Sequence, residues 1–370
     1  MIKYLHFAVF CLVFSSANAQ MMSGLDNLVA ENFAPLKGKH VGLITNQTGR
    51  TRDSLFGPDL FLNTTEVKLV ALFGPEHGLM GERSAGVTSD MQDSYLGVPV
   101  YSLYGTTRKP TKKMLKGIDA LVFDIQDVGV RPYTFLSTMI LAMEVAAANK
   151  IPFYVLDRPN PLSGERIEGN ILDTSLKSFV GILPIPYIHG MTLGELATMA
   201  KVKGWFANAA KLKLTVIPMK GWKRSLYWNE TGLKWTAPSP NVPEFENAVG
   251  LAMLGAIGEL GVLAVGVGSD MPFLRIGSSL MGPLEIKRMA DSAYANSLSI
   301  EMSNFASVNK LLDIKTYYGV KIILPADLKA IRSLYEGQFN IYQIMLDDTA
   351  MRSTFDKLPQ SVNVMFERKV

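Results

Sequence analysis

A glutamate and a histidine stand side by side in the stretch LFGPEHGLMG, which covers residues 72–81. Glu76 and His77 lie between glycines and follow an apolar run, so a loop presents them directly after a predicted buried strand. A turn needs the glycines and the proline for its backbone geometry, but it does not need a Glu-His pair. A carboxyl group in an apolar loop is suited to general acid catalysis, and a neighbouring histidine can orient it or manage a water molecule.

Other polar side chains follow predicted strands. They are Asn46 after the first strand, Asp124, Asp127, Arg131 and Tyr133 after the fourth, and Asp157, Arg158 and Asn160 after the fifth. Ligands of open α/β sheets bind in the crevice beyond the carboxyl ends of the strands, so we expect these side chains to form one composite site. We also expect contributions from His189, just before a predicted helix, and from Asn241 in the segment APSPNVP.

The strands that carry these residues are short, nearly continuously apolar and rich in β-branched or aromatic residues. We predict them at residues 41–45, 67–73, 98–104, 120–125 and 152–157. This pattern is typical of strands buried on both faces of a parallel sheet. Helical patterns alternate with them, most clearly at 135–149, and the sequence therefore predicts an open α/β sheet with right-handed crossovers.

The pattern changes at about residue 245, where a Gly/Ala-rich helix is predicted over residues 244–259. Mixed helices and a lone strand at 319–324 follow it. We therefore predict a catalytic α/β domain over residues 20–244 and a smaller auxiliary α+β domain over residues 245–370, which the chain length also favours.

Two local features have both a structural and a functional interpretation. Thr192 and Glu195 match a capping box at a helix start, which favours a structural role. All four tryptophans lie within residues 205–235. Clustered indoles can stack on sugar rings, although packing in a core is their commoner use.

The first residues are typical of an export signal. An apolar core over residues 5–14 follows a positive charge and precedes an A-x-A pattern that ends at Ala19. We predict a cleaved signal peptide over residues 1–19 and an exported, periplasmic protein without thiols, since the single Cys11 lies inside the signal. No other segment is long and apolar enough to span a membrane.

Missing motifs exclude several chemistries. The chain has no G-x-G-x-x-G after its first strand, no G-x-x-x-x-G-K-[ST] and no G-x-S-x-G. His77, His189, Asp124 and Asp157 include no helix-spaced pair typical of a metal site, so we predict no metal and no organic cofactor. The net charge of +4 is spread without runs, which gives no support for nucleic-acid binding. A carboxylate site remains, and glycoside hydrolysis is a reaction that such a site performs.

Seven segments, taken in chain order, resemble the NamZ family. They are GLITNQTG, LFGPEHGLMG, PVYSLYG, DIQDVGVRPYTF, LDRPNPLSG, SFVGILPIPYIHGMTLGELA and PSPNVP. The resemblance covers roughly residues 24–245. It implies a Rossmann-like parallel sheet with helices on both faces, a smaller auxiliary domain, and an active site in the cleft between them.

The resemblance also implies an activity and a substrate. Characterised members of the NamZ family are exo-acting glycoside hydrolases that release N-acetylmuramic acid from the non-reducing ends of peptidoglycan fragments (muropeptides), a step of cell-wall recycling. The family's proposed catalytic glutamate falls on Glu76, and we expect His77 and Asp124 to assist it. Because muramic acid carries a lactyl carboxylate, we expect the guanidinium fork of Arg131 to clamp that group.

The resemblance changes in the second half of the chain. The family usually has EGTNLSVGRGTDKPFE where this chain has GELGVLAVGVGSDMPFL. Val267 replaces the usual arginine, whereas Glu259 and the segment 270–273 are retained. This altered loop motivates a second interpretation, a muropeptide-binding protein without turnover, and a third is an esterase or amidase on cell-wall sugars.

Overall fold

The computed structural model describes residues 21–83, 93–279, 281–294, 298–308 and 314–347. The predicted signal peptide lies outside the described residues. Within them, no helix is both long and apolar enough to cross a membrane.

The larger sheet carries the strands that the sequence predicts. Its strands are β1 (His40–Thr45), β2 (Lys68–Gly74), β3 (Asp93–Tyr95), β4 (Val98–Ser102), β5 (Ala120–Asp124), β6 (Phe153–Leu156) and β7 (Leu214–Ile217). They are arranged in the order β3-β4-β2-β1-β5-β6-β7, and every pair is parallel except β3 with β4. The five predicted strands are confirmed, with ends that differ by one or two residues.

The helices of the chain are α1 (Gly24–Ala30), α2 (Gly57–Asn63), α3 (Thr134–Asn149), α4 (Leu193–Lys203), α5 (Phe245–Glu259), α6 (Pro283–Ala293) and α7 (Tyr335–Asp347). Helices α1 and α2 cover one face of the larger sheet, and α3 and α4 cover the other. Successive strand residues alternate between the two faces: Leu43 packs in the first layer and Ile44 in the second. The predicted fold class is confirmed, because burial on both faces explains the continuous apolar runs.

The order of the parallel strands, β4-β2-β1-β5-β6-β7, has a point where the chain reverses direction across the sheet. From β1 the chain proceeds to β2 and β4 on one side, and then returns to β5, β6 and β7 on the other. Loops from the two halves therefore diverge between β1 and β5 and leave a crevice at their carboxyl ends.

The smaller sheet is antiparallel and corrects one prediction. It consists of β8 (Leu263–Ala264), β9 (Arg275–Ser278), β10 (Ser299–Val308) and β11 (Ile314–Ile323) in the order β10-β11-β9-β8. The segment predicted as a lone strand at 319–324 is the second half of β11, which pairs with β10 over its whole length. The sequence conceals β10 because polar residues are frequent in it, since much of this strand is exposed.

Helix α5 begins within one residue of its predicted start, and its apolar side chains pack on both parts of the chain. One buried cluster contains Tyr187 and Trp228 from the first part together with Val249 and Ile257 from α5. The predicted boundary between residues 244 and 245 thus coincides with a helix start, and it stays a prediction as a domain boundary. Thr192 forms the predicted capping box at the start of α4.

We expect Gly24→Ala to destabilise the fold. A Cβ atom on Gly24 would lie 2.4 Å from the Asp157 backbone nitrogen and 2.6 Å from the Ile217 carbonyl oxygen, neither of which can move independently of the sheet. Overpacking of this kind costs about 1–3 kcal/mol of unfolding free energy, which urea titration measures. Gly282→Ser is the control, since a Cβ there meets only ordinary contacts and serine is a favoured N-cap. Equal stability of the two variants would contradict the packing at Gly24.

Candidate active site

Glu76 lies in the loop that follows β2, at the carboxyl edge of the larger sheet, and its side chain is half-buried. Its Oε2 atom accepts a hydrogen bond of 2.7 Å from the Thr134 hydroxyl. Tyr104, which follows β4, also hydrogen-bonds to this carboxylate. Burial, together with the charge and hydrogen bond of Glu76, raises the pKa of Tyr104 to about 12, so its hydroxyl keeps its proton at neutral pH. Two hydroxyl groups therefore fix the orientation of the Glu76 carboxylate.

The two residues that hold Glu76 were not among the sequence predictions. Thr134 is the first residue of α3, and Tyr104 is the second-to-last residue of the segment PVYSLYG. Tyr104 follows β4, and Thr134 follows the loop after β5, so both lie at the same edge of the sheet. This position after a strand is the sequence signal that could have identified them. The Tyr104 ring also lies 6.1 Å from that of Phe179, and the Arg108 guanidinium lies 4.4 Å from the centre of the Phe179 ring. These side chains give the site an aromatic border.

Asp127 and His189 form a buried pair in the same crevice. Asp127 Oδ2 accepts a hydrogen bond from the Gly129 backbone and lies 3.6 Å from His189 Nε2. The Met191 backbone N–H donates to His189 Nδ1, so in the neutral ring the proton resides on Nε2 and faces Asp127. The loop geometry thus sets the tautomer of the imidazole.

Three buried polar atoms at this edge have no hydrogen-bond partner among the described residues. They are Asn46 Nδ2, Asp127 Oδ1 and His189 Nε2. Burial raises the pKa of the nearby Tyr133, its hydrogen bond with Ser239 lowers it, and the charges of Asp127 and Glu76 raise it further. Unpaired buried donors and acceptors are costly. Their concentration beside Glu76 indicates a place where a polar ligand completes the hydrogen bonds.

The structure separates His77 from Glu76. His77 adopts a left-handed backbone with a φ of 71°, and its Nδ1 atom lies 2.7 Å from the Arg83 carbonyl oxygen. Its side chain lines a second cavity with Arg83 and Tyr101, and Glu76 does not border that cavity. The left-handed backbone at His77 thus favours a role in supporting the loop, and the expectation that His77 assists Glu76 stays a prediction.

Asp124 and Arg158 form a buried ion pair at the ends of β5 and β6. The Arg158 Nε and Nη2 atoms donate to the two carboxylate oxygens of Asp124 at 2.6 and 2.9 Å, and Nη2 also donates to the Arg50 carbonyl. Asp124 has no exposed surface and is enclosed behind Arg158. This arrangement favours a supporting role for Asp124, and the predicted roles of Asp124 in catalysis and of Arg158 in substrate binding stay predictions.

Asp157 and Asn160 support the loops of the site. Asp157 accepts hydrogen bonds from the Gly194 backbone and the Thr192 hydroxyl, and thereby joins the end of β6 to the start of α4. Asn160 donates to the Met191 carbonyl and accepts from the Leu162 backbone. Because other groups of the protein accept or donate these bonds, both residues support the loops, and their predicted contacts with substrate stay predictions.

Arg131 connects two segments of backbone. Its side chain is buried, and its Nη1 atom donates to the carbonyl oxygens of Asn170 and Ile185, each at 2.7 Å. These bonds favour a supporting role, and the clamp on a substrate carboxylate stays a prediction.

The segment that carries Asn241 is held at the crevice by Gln47, which follows β1. The Gln47 side-chain amide donates to the carbonyl oxygens of Ala237 and Pro238. Gln47 also packs against Gly81, where an added Cβ would lie 2.1 Å from its Nε2 atom. Gln47 therefore connects the Glu76 loop to the 237–243 segment. Asn241 is half-buried in that segment, and its role stays a prediction.

Two of the clustered tryptophans pack in the core. The rings of Trp228 and Trp235 meet edge to face at 5.0 Å, and Trp235 packs on Phe245 of α5. Val267 packs against the same apolar cluster, while Arg275 pairs with the retained Asp270 at 2.8 Å. Within the described residues, no three His, Cys, Asp or Glu side chains converge as a metal site.

Comparisons with known proteins agree on one family. The family model described as "Exo-beta-N-acetylmuramidase NamZ, N-terminal" matches residues 41–246. A curated relative, the peptidoglycan beta-N-acetylmuramidase NamZ of Bacillus subtilis (strain 168), is 40% identical over 347 residues, which are 92% of this chain and 82% of that protein.

Two crystal structures of DUF1343 family proteins from Bacteroides fragilis NCTC 9343 have the same fold. One is 38% identical with a TM-score of 0.83, and the match covers 94% of this chain and 88% of that chain. The other is 27% identical with a TM-score of 0.71, and the match covers 95% and 89% of the two chains.

Asp157 gives the site a measurable pH dependence. Burial raises its pKa from 3.8 to about 6, so the folded protein binds this proton more tightly than the unfolded chain does. The contribution of Asp157 to the free energy of unfolding therefore falls as pH rises through the window between these two values. We therefore expect the free energy of unfolding of Asp157→Asn, relative to that of the parent protein, to increase by about 2–3 kcal/mol as pH rises across this window.

Urea unfolding at a series of pH values measures this difference. Asp53→Asn is the control, because the Asp53 side chain is exposed. We expect the difference in unfolding free energy between this variant and the parent protein to be the same at every pH. A difference between Asp157→Asn and the parent that does not change with pH would contradict the shifted pKa.

Proposed function

This chain belongs to the NamZ family of exo-β-N-acetylmuramidases, and we infer from this premise that it is a glycoside hydrolase. It releases N-acetylmuramic acid from the non-reducing ends of peptidoglycan fragments. The inference rests on the match over 92% of the chain to a relative named as a peptidoglycan beta-N-acetylmuramidase. The substrate class is therefore a muropeptide, and the reaction is hydrolysis of one β-glycosidic bond.

The group of unpaired buried polar atoms near Glu76 supports the proposed location of the site. Asn46, Asp127 and His189 together offer both donors and acceptors that have no partner among the described residues. A sugar carries hydroxyl and acetamido groups that complement such a set. The nearby rings of Tyr104 and Phe179 add an apolar surface of the kind on which sugar rings stack.

We assign Glu76 the transfer of the catalytic proton. Hydrolysis of a glycosidic bond requires an acid that protonates the leaving oxygen and a second group that handles water or the positive charge of the transition state. Thr134 and Tyr104 hold the Glu76 carboxyl group in one orientation, which favours transfer along one direction. Asp127, backed by His189, is the further carboxylate at this edge that retains an unpaired oxygen.

We expect Glu76→Gln to abolish turnover while the fold is retained. The amide keeps the shape of the carboxyl group and can accept from Thr134, but it cannot transfer the proton, so kcat falls by at least about 10²–10⁴-fold. The assay follows release of N-acetylmuramic acid from a disaccharide with muramic acid at the non-reducing end. The same two sugars in the reverse order serve as the negative substrate.

Glu82→Gln is the matched control for this experiment. It makes the same chemical change in the same loop at an exposed side chain, and its kcat stays at the parent value. Thermal unfolding of each variant verifies that it is folded. Near-parental turnover in folded Glu76→Gln would remove Glu76 from the mechanism, and binding of muramic acid without hydrolysis by the parent protein would favour the non-catalytic interpretation.

We also propose that the protein acts outside the cytoplasm, in the periplasm. The support is the pattern of residues 1–19, with its apolar core and A-x-A ending. Mass spectrometry of the protein from the exported fraction tests this proposal. A mature N-terminus at Gln20 is the expected result, and a full-length protein that stays in the cytoplasm would contradict it.

A further inference from the structure

A pocket separate from the cavity that His77 lines lies beside Gln47 at the carboxyl edge of the larger sheet. Residues on either side of the Gln47 contacts line it: Thr48 follows Gln47 directly, and Thr236 precedes Ala237. Four cationic side chains, Arg50, Arg52, Arg158 and Lys234, face the pocket. The proposed catalytic carboxylate, Glu76, does not line it.

The pocket has a positive balance because its four cationic side chains outnumber the acid of its lining, Asp26. The Asp26 carboxylate accepts hydrogen bonds at Oδ2 from Ser23 and at Oδ1 from the Arg52 backbone. Asp124 lies behind Arg158 and neutralises that guanidinium in part. Lys234 is exposed, and no described acid pairs with it. The remaining positive charge attracts an anion.

Two buried polar atoms supply directional contacts in this pocket. The Trp228 indole N–H and the Gln126 Oε1 atom are buried and have no hydrogen-bond partner among the described residues, while the Gln126 amide nitrogen donates to two carbonyls. The Arg158 side chain, 6% exposed, uses its Nε and Nη2 atoms on Asp124 and on the Arg50 carbonyl. One donor and one acceptor are thus buried without described partners, at a cost in stability that a ligand removes.

We propose that this pocket binds a carboxylate of the muropeptide substrate. The Arg158 guanidinium, the Trp228 indole and the Lys234 ammonium donate to the carboxylate oxygens, and Gln126 Oε1 accepts from an N–H or O–H group next to it. Asp124 holds the guanidinium rigidly, so little side-chain entropy is lost when the anion binds. The assignment of the substrate as the source of the carboxylate rests on the proposed function. In this proposal the pocket binds the lactyl carboxylate, which is the role that the sequence suggested for Arg131.

Paired ligands and paired variants test the proposal. Calorimetry compares N-acetylmuramic acid, N-acetylglucosamine, which lacks the lactyl carboxylate, and lactate alone. Lys234→Met removes one charge at an exposed position, and Trp228→Phe removes the indole N–H. Lys203→Met is the control, since it removes an equally exposed lysine on α4. Unfolding curves verify that each variant is folded. If Trp228→Phe does not fold, Lys234→Met alone tests the proposal.

The expected result is that both variants weaken binding of N-acetylmuramic acid by roughly tenfold and leave N-acetylglucosamine unchanged, while the control matches the parent protein. Unchanged affinity for N-acetylmuramic acid would overturn the proposal. Loss of lactate binding alone would also overturn it, because the pocket would then take its carboxylate from another molecule. Hydrolysis by the parent protein is measured separately, so failure of the pocket leaves the proposed function standing, and absence of hydrolysis refutes that function by itself.

Discussion

The buried ion pair between Arg158 and Asp124 joins the ends of three neighbouring strands, and the shape of the crevice depends on it. Asp124 ends β5, Arg158 follows β6, and the guanidinium also holds the Arg50 carbonyl in the loop after β1. A buried ion pair contributes little net stability, but loss of one partner leaves an unpaired charge in the interior. The pair therefore enforces one arrangement of these loops, which also carry Asn46 and Asp127.

Polar residues at this edge divide into two sets according to whether the protein satisfies them. Asp157, Asn160 and Arg131 have their hydrogen bonds supplied by backbone or by other side chains, and they hold loops together. Asn46 and Asp127 retain buried atoms without partners. Because a buried polar atom without a partner is costly, those atoms mark where a ligand belongs, whereas the satisfied residues form the support on which the ligand site rests.

The loop after β2 shows how adjacent residues acquire different roles. The left-handed backbone at His77 directs its ring into a cavity with Arg83 and Tyr101, while Glu76 turns toward Thr134 and Tyr104. The PEHG sequence thus combines the carboxyl group proposed as the catalytic acid with a residue that supports the loop. Gln47 then links this loop to the 237–243 segment, so the two walls of the crevice are connected through one side chain.

The sequence by itself determined the α/β class, the strands from β1 to β6 other than the short β3, the carboxyl edge as the location of the site, and Glu76 as its candidate acid. Periodicity and apolar runs report burial of each element, and the order of elements predicts the edge where loops gather. Only the tertiary structure decided which polar side chains at that edge are free for a ligand. It also identified Thr134 and Tyr104, and it paired β11 with β10. Hydrogen bonds between residues such as Asp124 and Arg158, which are 34 positions apart, depend on distances and directions that exist only after the sheet has formed.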